Sequence, residues 1–64
     1  MIFYTLYEGQ NSNDNDNCED FKSKEAALKA FKLSTYPYAV VHVYEGRAGD
    51  ADYIGTLAEK GVTL

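Results

Sequence analysis

One stretch of the chain, Ser23–Ser34, spaces its apolar residues with a helical period. Ala27, Leu28 and Phe31 fall on one stripe of a helix, and the lysines of the stretch lie mostly off that stripe. The serine at its start can accept hydrogen bonds from free backbone N–H groups. Pro37 disfavours helical geometry in the residue before it, so we expect the helix to end with this stretch. A helix of about twelve residues is marginal alone in water, so it must pack on the neighbouring segments.

Three other segments alternate their side chains with the period of a strand. They are Met1–Glu8, Tyr38–Glu45 and Tyr53–Glu59. In the third segment the apolar residues change parity across Gly55, which predicts a bulge there. The helix stripe and one face of each strand predict the core, which consists of Ile2, Tyr4, Leu6, Phe21, Ala27, Leu28, Phe31, Ala39, Val41, Val43, Tyr53 and Leu57.

These elements predict one small α+β domain over residues 1–64, in the order β-α-β-β. We expect a three-stranded, mainly antiparallel sheet with the helix packed on one face. If the first strand runs up, the helix runs down and the second strand runs up, which puts both long turns at the same end. We choose the strand order 1-3-2, in which all neighbours are antiparallel. The order 1-2-3, with one parallel pair, is the alternative.

The connections differ in character. Gly9–Asp20 is a polar loop rich in Asn and Asp, which favour turns. Long connections of this kind are either functional or disordered, and both interpretations stay open. Gly46–Asp52 is a turn, and Val62–Leu64 is a tail or a short extra pairing.

The size of the chain limits how its core is stabilised. Sixty-four residues lie near the lower limit for a self-sufficient core. The single cysteine excludes an intramolecular disulfide, and no Cys/His cluster has zinc spacing, so oligomerisation or partner binding remains. The sequence has no apolar run of roughly 18 residues and no signal-peptide pattern. We therefore expect a cytoplasmic protein that does not enter the membrane.

Acidic residues are unevenly distributed around a net charge of −4. Residues 1–21 carry five acids and no base, whereas residues 22–34 carry four lysines and one acid. With both long turns at one end, eight carboxylates should form an acidic pole with a strong local field. Its predicted members, which we expect to contact a partner, are Glu8, Asp14, Asp16, Glu19, Asp20, Glu45, Asp50 and Asp52.

Three interpretations of this pole remain. It is a solvated end, a calcium site, or a surface that imitates a phosphate backbone and docks on a basic patch. Asp14, Asp16 and Glu25 stand at positions 1, 3 and 12 of an EF-hand-like register. However, Cys18 and Glu19 occupy positions 5 and 6, and the turn needs glycine at position 6. The sequence thus disfavours calcium, and we predict no metal and no cofactor.

Aromatic residues should collect on the sheet face that the helix leaves open. Exposed aromatic and β-branched surfaces mark association sites, so we expect Tyr7, Tyr38 and Tyr44 to contact a partner or a second copy. The acidic composition argues against direct binding of nucleic acid, which needs basic residues. The predicted members of this face are Phe3, Tyr7, Tyr38, Val40, His42 and Tyr44.

No catalytic constellation is present in the sequence. His42 is the only histidine, and the acids around Cys18 should raise its thiol pKa and suppress the nucleophilic thiolate. We therefore predict a protein that is not an enzyme.

In size, acidity and β-α-β-β layout the chain resembles small phage-encoded inhibitors, such as anti-CRISPR proteins and host-polymerase inhibitors. The resemblance covers the overall layout and no residue motif. It implies stoichiometric binding to a nucleic-acid-handling host protein by blocking a basic surface. The predicted function is therefore a non-enzymatic acidic inhibitor or adaptor. The alternative is a small structural or regulatory module that homo-oligomerises through its open sheet face.

Overall fold

The structure is a computed structural model that describes residues 1–47 and 49–61. It is α+β as predicted, but its sheet has four strands rather than three. The predicted tail Val62–Leu64 lies outside the described residues, as does Ala48 in the predicted turn. The elements are β1 (Ile2–Gly9), β2 (Asn17–Phe21), α1 (Lys24–Leu33), β3 (Tyr38–Arg47) and β4 (Asp50–Lys60).

The additional strand, β2, lies within the segment that the sequence predicts as a polar loop. It pairs antiparallel with β1, so that Thr5 lies opposite Asp20 and Tyr7 opposite Cys18. Four of its five residues are exposed, because β2 is an edge strand. Its Asn and Asp residues disfavour strands, so backbone pairing rather than an apolar pattern defines it. Residues 10–16 remain as the loop.

The sheet order is β2-β1-β3-β4, and every pair is antiparallel. The predicted order 1-3-2 is wrong, because β4 lies outside β3 instead of between β1 and β3. The alternative order 1-2-3 is correct for the three predicted strands, but its parallel pair is wrong, because β1 and β3 are antiparallel. The first hairpin explains both errors. It returns the chain to its starting end before α1 begins, so α1 leads to the far end and β3 comes back antiparallel to β1.

Helix α1 forms where the sequence predicts it. The Ser23 hydroxyl accepts from the Ala26 N–H at 3.3 Å, and the Ser34 N–H donates to the Phe31 carbonyl at 3.2 Å. Lys60, at the end of β4, donates to the carbonyls of Phe31 and Ser34 at 2.9 and 3.1 Å. These bonds satisfy backbone groups that a helix end leaves free. Among the described residues, no helix is long and apolar enough to cross a membrane.

The core lies between α1 and one face of the sheet. Its buried residues are Leu6, Ala27, Ala39 and Val41, as predicted. Tyr53 is wrongly predicted as core, because its side chain is 56% exposed. Register irregularities occur in β4 on both sides of Gly55, and they leave Tyr53 opposite Tyr44 on the other face of the sheet. Ile2 is also exposed, at 38%. Partly buried residues packed against the core include Tyr4, Phe21, Ala30, Phe31 and Leu57.

Candidate functional site

Helix α1 covers one face of the sheet, and the opposite face carries a cluster of rings that we call the aromatic face. Cross-strand pairing puts Phe3 opposite Tyr44 and Tyr44 opposite Tyr53, which aligns three rings across β1, β3 and β4. Phe3 and Tyr44 are stacked, with ring centroids 5.4 Å apart and planes at 16°. His42 lies 5.2 Å from the Tyr7 ring and 5.0 Å from the Tyr53 ring. The aromatic face thus consists of Phe3, Tyr7, His42, Tyr44 and Tyr53.

The polar groups of this face are tyrosine hydroxyls and the His42 imidazole. The hydroxyls of Tyr7 and Tyr44 lie 2.9 Å apart. Burial, with a further contribution from this hydrogen bond, raises the pKa of the Tyr7 phenol far above its usual range. Burial also lowers the pKa of His42, against a smaller opposing effect of Glu59. The aromatic face therefore has ring surfaces and hydroxyls but no cation of its own.

Part of the open sheet face is covered by the 10–16 loop. The loop and the sheet line an open depression of about 290 Å³, and the Tyr38 and Val40 residues in its lining are 5% and 4% exposed. The Tyr38 hydroxyl donates to Glu59 at 2.5 Å, and burial with this bond raises the pKa of Tyr38 to about 12. Tyr38 is therefore buried in this structure, and two of the three tyrosines predicted as contacts, Tyr7 and Tyr44, belong to the aromatic face.

A second, larger depression lies on the other side of the Tyr7–Tyr44 pair, and we call it the aromatic groove. Its volume is about 470 Å³. Sheet residues Phe3, Thr5, Tyr7 and Tyr44 line it together with Cys18 and Asp20 of β2 and residues 49–51 at the start of β4. Asp20 is held at its edge, because the Thr5 hydroxyl donates to Asp20 Oδ1 at 2.7 Å.

Cys18 also lines the groove, on edge strand β2. Burial raises the pKa of its thiol, and the nearby Asp20 carboxylate adds to this effect. The direction agrees with the sequence prediction, although the structure gives burial the larger part. A thiol with a raised pKa is a poor nucleophile at neutral pH.

The eight predicted carboxylates do not meet at one pole. Glu8 lies opposite Ala39 near the 10–16 loop, whereas Glu45 pairs with Ile2 and Asp52 at the other end of the sheet. The missed hairpin explains the error, since it puts the β3–β4 turn at the end away from the 10–16 loop. The acids therefore form three groups. The upper group, at the end of the sheet with the 10–16 loop, is Glu8, Asp14 and Asp16, and the lower group, at the end with the β3–β4 turn, is Glu45, Asp50 and Asp52. Glu19 and Asp20 lie between them on β2.

Glu8 differs from the other seven predicted carboxylates because it is buried, with 6% of its surface exposed. Its Oε1 accepts from the Asn17 side-chain amide at 2.6 Å, and its Oε2 accepts from the Ser34 hydroxyl. The carboxylate thereby joins β1, β2 and the end of α1. Its hydrogen bonds are internal, and they hold the first hairpin against the helix.

The calcium alternative is not supported by the placement of its three acids. Asp14 and Asp16 lie in the upper loop, whereas Glu25 is in the first turn of α1, beside the lower end of β2. Across residues 1–47 and 49–61, no three His, Cys, Asp or Glu side chains are grouped so that they could hold a metal ion.

Tyr53 and Thr5 are the site residues that the sequence prediction missed. Thr5 has no distinctive sequence signal, because its role depends on pairing with a strand that was itself missed. Tyr53 had a signal. Tyr44 and Tyr53 lie symmetrically about the Arg47–Asp50 turn, so a simple hairpin register places them opposite each other.

Comparison with known protein families, with curated protein sequences and with solved structures finds no match. The functional argument therefore rests on the geometry of this chain. That geometry offers stacked rings, neutral hydroxyls and carboxylates on one sheet face.

Proposed function

We propose that the protein is a non-enzymatic binding protein whose aromatic face docks on a basic surface of another protein. The observation that carries this proposal is the set of five rings on the sheet face that α1 leaves open. Aromatic residues, with tyrosine prominent among them, are enriched at protein interfaces and often supply most of the binding energy. A small core also benefits from the additional burial that a partner provides.

The charge distribution supports a basic partner. Asp20 and Asp50 line the aromatic groove, and no Lys or Arg is among its described lining residues. Lys24, Lys29 and Lys32 lie on α1, on the opposite face of the sheet. The groove therefore has rings and carboxylates, and α1 carries three ammonium groups, while Lys22 lies beside Phe3 and Asp20 in a neighbouring depression. Complementary charge increases association rate and specificity more than affinity.

The expected partner class is a nucleic-acid-handling protein, which the chain would inhibit or serve as an adaptor. This part of the proposal comes from the resemblance to small phage-encoded inhibitors in size and acidity. The third element of the resemblance, the β-α-β-β layout, is replaced by β-β-α-β-β in the structure. Proteins that hold nucleic acid present basic surfaces to phosphates, which an acidic protein can occupy. We expect the encounter to take place in the cytoplasm.

A second candidate function is homo-oligomerisation, as a structural or regulatory module. It is favoured by the side chains of Tyr53 and Ile54, which are 56% and 54% exposed on the edge strand β4. Edge strands with exposed apolar residues readily pair with another chain. Two copies joined in this way would form one continuous sheet, whereas two copies packed through their open faces would bury the aromatic face of each.

Site-specific photocrosslinking tests the proposal. A benzophenone side chain is placed at Tyr53 on the aromatic face or, as the matched control, at Leu33 on α1, which is 70% exposed. We expect position 53 and not position 33 to crosslink a basic partner in extracts of the host cell. Covalent dimers from the purified protein at position 53 would instead support the second candidate. Equal adducts from both positions would reject the aromatic face as the contact.

The crosslinked partner is then purified and its binding measured directly. Tyr44→Ala should weaken the complex by about 2 kcal/mol or more, as expected for an aromatic residue central to an interface. The association rate should fall steeply with salt, because screening shortens the reach of exposed charges to about 8 Å at physiological ionic strength. Neutralising the remote pair Asp14 and Asp16 should change this rate less than neutralising Asp20 and Asp50. The reverse order would assign the contact to the upper loop.

A further inference from the structure

We propose that the aromatic groove receives one arginine side chain of the protein partner, with the guanidinium packed against the Phe3–Tyr44 ring pair and bonded to Asp20. This inference rests on the proposed function and gives it a chemical specificity. Three features support it, which are the Phe3–Tyr44 ring pair, the Asp20 carboxylate held by Thr5, and the open groove that they line.

The rings provide a stacking surface. Phe3 and Tyr44 stack on each other, with planes at 16° and centroids 5.4 Å apart, and both line the groove, so a guanidinium can lie against one ring of the pair and not between them. A guanidinium is planar and weakly hydrated, and it stacks on aromatic faces within about 6 Å of the ring centre. The Tyr7 hydroxyl, hydrogen-bonded to the hydroxyl of Tyr44, borders the same surface. Its raised pKa keeps it protonated, so it does not compete as a charged group.

The carboxylates supply the opposite charge. Thr5 fixes Asp20 through Oδ1, and Asp20 Oδ2 has no hydrogen bond to any other described residue. That oxygen can accept from a guanidinium while the Thr5 bond is retained. Asp50 lines the same groove from the start of β4. Hydrogen bonds between guanidinium and carboxylate are shorter and roughly twice as strong as neutral ones.

The size and charge of the groove distinguish arginine from other occupants. A volume of about 470 Å³ accommodates one long side chain together with part of its backbone. A nucleobase could also stack on the rings, but Asp20 and Asp50 would repel its phosphates. A lysine ammonium is a compact, strongly hydrated charge and lacks a plane to stack. Arginine satisfies both the rings and the carboxylates.

A peptide titration followed by ¹H–¹⁵N NMR tests the assignment. The probe is acetyl-Gly-Ser-Arg-Ser-Gly-amide, and its matched control contains citrulline, which has nearly the same shape and no charge. We expect saturable shifts at the amides of Phe3, Thr5 and Tyr44, with affinity at least tenfold higher for the arginine peptide. A lysine peptide should bind with intermediate affinity. Equal binding of the citrulline peptide, or shifts confined to another part of the chain, would overturn the assignment.

Variants of the protein sharpen the test. Asp20→Asn can still accept the Thr5 hydrogen bond, so the fold should persist while affinity for the arginine peptide falls about tenfold. Asp16→Asn makes the same charge change in the exposed upper loop and should leave affinity within twofold. Phe3→Leu keeps an apolar side chain but removes the ring, and should reduce affinity severalfold. Equal effects of Asp20→Asn and Asp16→Asn would show that net charge, rather than the groove, attracts the peptide.

These outcomes are separable from those of the photocrosslinking experiment. If position 53 captures a partner but the arginine peptide does not bind, the proposed function stands and the arginine assignment fails. If the peptide binds and no partner is captured, the assignment stands without the broader proposal. The chain itself has one arginine, Arg47. Concentration-dependent self-association that is lost in Arg47→Gln would overturn the assignment to a different protein in favour of a second copy.

Discussion

The ammonium nitrogen of Lys60 lies 2.9 Å from the carbonyl oxygen of Phe31 and 5.0 Å from the centre of the Phe31 ring. Lys60 ends β4, and Phe31 lies in the last turn of α1. The lysine brings positive charge to the negative end of the helix dipole and donates to a carbonyl that also accepts from the Ser34 N–H. This contact attaches the outer strand of the sheet to the helix.

Removing the charge of Lys60 should weaken this attachment. Lys60→Met keeps an apolar stem, and we expect it to lower the free energy of unfolding by about 1 kcal/mol. Lys29→Met makes the same change at an exposed position on α1 and should stay within about 0.5 kcal/mol of the parent. Urea denaturation of the two variants measures the difference. Equal stabilities would show that Lys60 does not stabilise the helix end.

A leucine-to-alanine change should lower the free energy of unfolding strongly at a buried position and only slightly at an exposed one. Leu6 is 2% exposed in the core, so Leu6→Ala should cost about 2–5 kcal/mol. Leu33 is 70% exposed, and Leu33→Ala should change stability by less than about 0.5 kcal/mol. Thermal unfolding followed by circular dichroism checks this prediction. A larger loss at Leu33 than at Leu6 would mean that α1 packs through its other side.

Gly61 has a backbone conformation that other residues rarely adopt, with φ at +104°. A Cβ at this position would also collide with the carbonyl oxygen of Pro37. Gly61→Ala should therefore destabilise the fold by about 1–3 kcal/mol. Gly55→Ala is the control, because a Cβ at Gly55 meets no atom within 4 Å. Chemical denaturation compares them, and similar losses would contradict the close approach at Gly61.

Protonation of His42 should oppose folding. Burial lowers the pKa of His42 in the folded state below its ordinary value of 6.5, so the unfolded chain binds the proton more readily. The contribution of His42 to the free energy of unfolding is then fully present above pH 6.5, and it is lost as the pH decreases through the lowered pKa. NMR titration of the imidazole gives the folded pKa, and unfolding at several pH values gives the slope. His42→Gln should reduce that slope, and a measured pKa above 6.5 would reverse the prediction.

The helix and three strands could be predicted from the sequence because their apolar residues are periodic. Ser23 and Pro37 mark the limits of the helix with side-chain chemistry that acts locally. The core positions Leu6, Ala39 and Val41 follow from alternation along two strands buried on one face. These features depend on neighbouring residues, which a single sequence displays.

β2 could not be predicted because its residues other than Phe21 give no strand pattern, and its Asn and Asp residues disfavour strands. Asn17–Phe21 is extended because β1 offers it backbone partners, and this information lies elsewhere in the chain. The error then reversed the direction of α1 and misplaced the lower acids. The aromatic face was predicted in outline from alternation. The burial of Tyr38 under the 10–16 loop depends on tertiary contacts that alternation does not encode.

The sheet order β2-β1-β3-β4 amounts to two local hairpins joined along one seam, and this has a consequence for folding kinetics. Each hairpin pairs residues close in the chain, whereas the seam pairs residues as distant as Ile2 and Glu45. Closing that seam carries the largest loop entropy, so we expect it to limit the folding rate. Conservative truncations at the seam, such as Val41→Ala, should slow folding in stopped-flow experiments. Truncations in β4, such as Leu57→Ala, should mainly accelerate unfolding, which would place the outer strand late in assembly.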